Sequence, residues 1–369
     1  MHVVRRSLVG ALVAVSVPLC CMPLRCIAQS TSTTLPAAAS SFITLHYPED
    51  KQYAIAFVDG LPITLEQLVH HIDERHYPGF QQLMAGADGK GSPEGNRFLT
   101  SDLIAPWVRE FADIKALEAE AKARGDIDQK KLDEKLSAAL KQAFEHYLAD
   151  YVEGLRQAGH PTELTQKRMN ALLTDYQLRH GLACEMQGWL DYLEPVGDWT
   201  NQQLNDFYQD HATLFAAGVT MEHILIQNRD PGTCILLQEE GRIRAATRLA
   251  EVQHQLRPDG SNFEDLARKY SDDTRTGKDG GRLTNVERFD NRLPAALCRT
   301  AWRLKDGEVS GVVETQYGWH LVRRIEHKQR AYLLFTEAML PTVRDVKQRE
   351  LQENLLFKAR EGHKIELKL

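Results

Sequence analysis

The chain has 369 residues, with 45 basic and 51 acidic side chains and a formal net charge of −6. That length suits two or three domains with buried cores. The near balance of charge lacks the basic footprint of a nucleic-acid binder, and the overall polarity is that of a soluble protein.

Arg5 and Arg6 precede an apolar run from Leu8 to Leu19, and Cys26-Ile27-Ala28 offers small residues before a cut. This pattern predicts a secretory signal peptide over 1–28, cleaved after Ala28. The run is short for a spanning helix, and no later run approaches ~20 apolar residues. A retained membrane anchor stays open as the alternative. A lipoprotein signal fits less well, because Leu19 and Cys20 sit where a small residue should precede the modified cysteine. Cleavage leaves Cys184, Cys234 and Cys298, none at metal-ligand spacing, so at most one bridge can form within a monomer.

Residues 29–48 are rich in Ser, Thr, Ala and Pro and read as a flexible tether. Alternation over Tyr53–Val58 predicts a strand, turned at Asp59-Gly60. Thr64 and Gln67 then make a capping box for a helix bearing Leu65, Leu68, Val69 and Ile72. His70, His71, Glu74 and His76 cluster on that short helix. Only His70 and Glu74 stand at i, i+4 spacing and no third ligand is evident, so a solvated or packed face is expected rather than a metal site. Gly/Asp/Pro-rich residues 86–96 predict a loop or disordered insertion. Apolar periodicity predicts helices from Pro106 to Arg124, from Gln129 to Gln157 and from about Thr162 to Leu182. Another should open at the capping box of Thr200 and Gln203, and Pro341 should open a last helix running to about Arg360.

Between these helical segments, Met221–Ile226 and Gln316–Val322 alternate as strands, each with one histidine. Phe263, Leu266, Ala267 and Tyr270 form a helical stripe, with Ser261 and Glu264 at capping-box spacing. A glycine-punctuated loop follows at 277–281. His-Ile-Leu-Ile (223–226), Phe-Glu-Asp-Leu-Ala-Arg-Lys-Tyr-Ser-Asp-Asp (263–273), Gly-Gly-Arg-Leu (280–283), Leu-Lys-Asp-Gly-Glu-Val-Ser (304–310) and Thr-Gln-Tyr-Gly-Trp-His-Leu-Val (315–322) resemble, in order and spacing, the parvulin family of peptidyl-prolyl isomerases. The Val-Asp-Gly-Leu-Pro-Ile-Thr string (58–64) is similar to the opening of chaperone domains attached to secreted parvulins.

The resemblance implies an α+β fold. A helical chaperone-like domain (49–215) would be completed by a C-terminal segment and helix (329–369). A parvulin domain (216–328), a small antiparallel sheet flanked by helices, would be inserted between them. Its site would comprise the paired histidines His223 and His320, with Asp273 at the position that faces the bound peptide bond and Thr315 orienting His320 or Asp273. Leu283, Leu293 and Leu297 match the apolar pocket for the proline ring. The family usually has methionine and phenylalanine where Leu293 and Leu297 stand, and Gly-Gly-Asp-Leu-Gly where this chain has Gly-Gly-Arg-Leu-Thr (280–284). Neighbouring Asp272 reads as a capping or solvated loop acid.

The implied activity is rotation of X-Pro bonds in unfolded or partly folded exported polypeptides, in the periplasm or cell envelope. It requires no metal, nucleotide or other cofactor. No basic cluster lies beside Gln227, so a phosphate-reading site is not expected. The competing reading is a holding chaperone whose parvulin fold is a catalytically weak peptide-binding module. Conserving the His/Asp/His set favours the enzyme, and losing the aromatic pocket wall favours the binder.

Overall fold

The computed structural model describes residues 43–86, 89–91, 99–157, 159–229, 237–290, 292–315, 317–329 and 334–368. The expected signal peptide, most of the expected tether, part of the 86–96 loop and Cys234 lie outside these residues. In chain order the elements are β1 (Ala54–Val58), β2 (Leu61–Thr64), α1 (Leu65–Arg75), α2 (Phe80–Ala85), α3 (Ser101–Arg124), α4 (Gln129–Gln157), α5 (Gln166–Leu193), α6 (Asn201–Asp210) and α7 (Ala212–Ala216). There follow β3 (Ala217–Ile226), α8 (Glu239–Gln255), α9 (Phe263–Tyr270), β4 (Arg282–Val286), α10 (Ala295–Arg303), β5 (Val313–Thr315), β6 (Gly318–Gln329), α11 (Leu340–Gly362) and β7 (Ile365–Leu367). The fold is α+β. Among the described residues, no helix is long and apolar enough to cross a membrane.

The helical region is built from both ends of the chain. Asp59 and Gly60 take positive φ angles of 53° and 77°, which closes the β1–β2 hairpin. β1 then pairs on its other edge with β7, giving the order β2-β1-β7. Both capping boxes form: Thr64 and Gln67 exchange hydrogen bonds at the start of α1, as do Thr200 and Gln203 at the start of α6. The apolar faces of α1, α2, α3 and α5 meet α11 in one core that includes Leu68, Ile72, Phe80, Phe111, Leu117, Leu190 and Leu356. Arg360 on α11 donates two hydrogen bonds to the Asp113 carboxylate on α3, at 2.8 and 2.6 Å.

Several expectations are corrected. α3 starts at Ser101, five residues ahead of Pro106, so the proline sits inside the helix. α5 runs to Leu193 rather than Leu182. Gly181 and Gly188 lie inside the helix, and each makes room for a neighbour. A Cβ on Gly181 would lie 2.6 Å from the His76 ring, and one on Gly188 would lie 2.8 Å from the Leu136 backbone. Ser261 and Glu264 make no capping box: α9 is N-capped by Asn262 without a side-chain bond, and the Ser261 amide bonds Asp259 instead. α8 and α10 were not anticipated, because charges interrupt the apolar pattern of α8 and α10 is only 9 residues long.

The inserted region is a four-stranded antiparallel sheet in the order β4-β3-β6-β5. β3 is buried along its whole length and pairs with β6 from Ala217↔Gln329 to Ile226↔Trp319. One face, with Ile224, Ile226, Trp319 and Leu321, packs on α8 and α9. The other, with Val219, Met221 and Val322, packs on α10. Cys184 and Cys298 are both buried.

Buried ion pairs join the two regions. Arg242 on α8 bonds Asp102 on α3, and Arg109 on α3 bonds Glu314 on β5. Glu353 on α11 bonds Arg288, and lies 3.2 Å from Arg299 on α10. Phe289 leaves the sheet domain altogether and packs with Leu204, Tyr208 and Val343. Glu353→Gln should leave Arg299 without its buried carboxylate and Arg288 with Glu350 alone, 3.6 Å away. Removing one partner of such a buried cluster costs about 3 kcal/mol. Urea denaturation should show that loss, and limited proteolysis should show faster cutting at 329–340.

Candidate active site

Strand register creates the site. His223 stands opposite Val322 and His320 opposite Leu225, so the two histidines are diagonal neighbours on the α10 side of the sheet. Their rings are nearly parallel, 5.5 Å apart, and their Nδ1 atoms are 3.3 Å apart. Both are buried, at 5% and 2% exposure.

Two glycines allow this approach. The Gly281 (φ +77°) carbonyl accepts the His223 amide at 2.9 Å, and a Cβ there would meet the His223 carbonyl oxygen at 2.1 Å. Gly318 (φ +141°) starts β6, and a Cβ there would meet the Ile226 oxygen at 2.4 Å. Only glycine permits both the backbone angle and the contact.

The loop after α9 delivers the acid. Asp272 accepts two bonds from Arg248, at 3.1 and 2.9 Å, and one from the Gln227 amide at 2.8 Å. Ser271 Oγ accepts the Leu225 amide at 3.1 Å. This clamp stitches the loop to β3, so Asp272 acts structurally. It leaves Asp273 beside His223, with Oδ2 3.0 Å from His223 Nε2. Thr276 was not anticipated by sequence reasoning. Its hydroxyl donates to Asp273 Oδ2 at 2.6 Å and lies 3.0 Å from His223 Nε2. The signal was present, a hydroxyl three residues beyond a loop aspartate, but such spacing is common in turns.

On the far side, Thr315 Oγ1 is 2.8 Å from His320 Nε2 and accepts the Tyr317 amide at 3.1 Å. Burial, reinforced by the neighbouring His223, pulls His320 well below its ordinary pKa of 6.5. The hydrogen bond from His223 holds the Asp273 carboxyl well below its ordinary range, against the cost of its partial burial; Thr276 and the Arg275 amide add to this. With His320 neutral, these groups form one continuous hydrogen-bonded chain. The Tyr317 amide donates to Thr315 Oγ1, which meets His320 Nε2; the two histidines meet through their Nδ1 atoms, and His223 Nε2 meets Asp273 Oδ2.

The three leucines lie together on the same face as the histidines. Leu283 and Leu293 are partly buried, while Leu297 is only 2% exposed and packs beneath them on α10. His70 and Glu74 form an exposed pair at 3.1 Å, distant in role from His71 and His76, which turn inward to Glu185.

Two predictions follow from the proton chain. Asp273 has a depressed pKa, so its contribution is complete above the ordinary value of 3.8 and lost as pH falls below it. Asp273→Asn should cost about 2 kcal/mol at pH 7 and flatten the acid limb of a stability–pH curve measured by urea melts. His320, held neutral, binds fewer protons folded than unfolded, so stability also declines as pH drops below 6.5, and His320→Gln should remove that part. Gly281→Ala should destabilise by roughly 2–4 kcal/mol, because strain and collision act together. Thermal unfolding with circular dichroism checks it.

A family model described as the rotamase, PPIC-type PPIASE domain matches residues 223–326. Foldase protein PrsA 1 of Lactobacillus johnsonii is 26% identical over 207 residues, covering 55% of this chain and 55% of its own. Foldase protein PrsA of Bacillus subtilis is 36% identical over 96 residues, 24% of this chain and 32% of its own. Chaperone SurA of Photorhabdus laumondii is 26% identical over 129 residues, 34% of this chain and 27% of its own. The chain thus matches about half, or less, of the length of these relatives. Within residues 223–326 the buried histidine pair lies on the sheet and its acid on the loop after α9, and the chain has a parvulin-type, PPIC-class peptidyl-prolyl isomerase domain and resembles foldase protein PrsA and chaperone SurA.

Proposed function

We propose that the chain is an exported peptidyl-prolyl isomerase joined to a helical domain that holds unfolded polypeptide. The observation that carries the reading is the closed hydrogen-bond chain from Tyr317 to Asp273. Every polar group in it is already partnered, so the site offers no activated nucleophile. Prolyl isomerisation needs none, because the barrier of ~18–20 kcal/mol arises from amide resonance and no bond is cleaved.

In this reading Leu283 and Leu293 hold the pyrrolidine ring, with Leu297 supporting them from below. The buried polar chain sits beside the rotating amide. Its fixed dipoles suit the twisted amide, whose carbonyl and nitrogen are no longer conjugated. Asp273 acts mainly by fixing the orientation of His223, and Thr315 does the same for His320. The clients are proline-containing exported chains in the periplasm or envelope. The basic, apolar leader of the sequence supports export, as does the likeness to PrsA and SurA.

A protease-coupled proline-peptide assay on the full chain tests the reading. His223→Ala, and Leu293→Asp by placing an unpaired charge at the ring site, should each lower kcat/KM at least tenfold. That factor corresponds to about 1.4 kcal/mol of lost transition-state stabilisation. Both variants should still suppress client aggregation. A wild-type chain with no isomerisation above background, but with intact holding activity, would establish the weak peptide-binding module instead.

A further inference from the structure

The helical domain contains a second cluster of chemical groups, which the isomerase site does not use. His71 on α1, His76 at its C-cap and Glu185 on α5 converge, and their three donor atoms lie within 4.8 Å of one another. His71 Nε2 and His76 Nε2 approach the same carboxylate oxygen, Oε2, at 2.7 and 2.9 Å. The group is largely buried: Glu185 is 5% exposed, His76 is 8% exposed and the His71 side chain 14% exposed.

The surroundings are shaped to hold it. Gly181, one turn before Glu185, leaves the space that the His76 ring fills. The His76 amide bonds the Ile72 carbonyl at 2.9 Å, which fixes the turn, and the His71 ring packs 4.7 Å from Phe111. Arg75 lies on the other carboxylate oxygen, Oε1, at 3.9 Å, so Oε2 is the atom presented to both rings.

We propose that His71, His76 and Glu185 bind a divalent transition-metal ion of the zinc type. Two imidazole nitrogens and one carboxylate oxygen are a known zinc donor set. Bonds of ~2.0–2.2 Å place donors about 3.3 Å apart around a tetrahedral ion, so the observed pairs need to widen by about half an ångström. The imidazoles select zinc, copper or nickel over magnesium and calcium, which prefer all-oxygen sites. The fourth position lies on the His71 side, the most exposed part of the cluster, and takes water. The ion would tie α1 to α5 inside the client-holding domain. Sequence alone hid the site because Glu185 is more than a hundred residues from the histidines.

The test uses the full, tag-free chain stripped by chelator and titrated with zinc by calorimetry, with cobalt(II) absorption as a second readout. Wild type should bind one zinc with a Kd of roughly 10 µM or tighter, show a tetrahedral cobalt spectrum and melt at a higher temperature with the metal. His70→Gln, a neighbouring exposed histidine, should bind as wild type does. His71→Gln and Glu185→Gln should weaken binding by roughly a hundredfold. His71→Gln keeps a hydrogen-bond donor toward Glu185, so its fold, checked by circular dichroism, should be retained. If wild type takes up no zinc, the triad is a polar network only and the proposal fails. Equal binding in all four proteins would place the ion elsewhere and overturn it as well.

Discussion

The pairing of β3 with β6 is the constraint on which the isomerase region depends. Both strands alternate between two packed faces, so a slip of one residue would exchange Ile224 and Leu321 for His223 and His320. Apolar packing on α8 and α9 therefore fixes the register, and the register fixes the histidines. The site inherits its geometry from the core. The two glycines at 281 and 318 add the close backbone contacts that keep the neighbouring loops tight against these strands.

α11 plays a comparable part for the whole chain. One set of its residues, including Leu355, Leu356 and Ala359, completes the N-terminal core, while Glu353 reaches across to Arg288 and Arg299. On the opposite flank, α3 supplies Asp102 and Arg109 to the sheet domain. Glu314, the partner of Arg109, immediately precedes Thr315 on an edge strand. Helical domain and histidine pair are therefore separated by only a few bonded groups. Burial strengthens these ion pairs once made and makes an unpaired member costly, so the two regions are held in a defined relation.

Much of this was legible in the sequence. The hairpin at Asp59-Gly60, the boxes at Thr64 and Thr200, and the alternating strands around His223 and His320 are local signals, and local chemistry decides them. The family strings carried the candidate site residues, and the structure brings His223, Asp273, Thr315 and His320 into one hydrogen-bonded chain. What escaped reading was set by distant contacts. The run of α5 beyond Leu182 escaped because nothing local shows His76 and Leu136 packing against Gly181 and Gly188. Thr276 looked like an ordinary turn residue, since its partner His223 arrives from another strand. The Ser261–Glu264 pair had the right spacing, but the neighbouring Asp259 competes for the Ser261 amide.

The first residue of β3, Ala217, pairs with the last residue of β6, Gln329. The inserted domain thus begins and ends at one point. To the surrounding helical domain it is equivalent to a short link rather than a long loop, because its own fold brings the two ends together. The closure entropy of the outer domain, which would otherwise grow by about 0.6 kcal/mol for each doubling of an open loop, does not depend on how large the insert is. During synthesis, residues 217–329 emerge before α11 and β7, so the insert can fold while its host is still incomplete. Its folded state then shortens the search by which α11 finds α3. The folded insert would in this way help its own carrier to close.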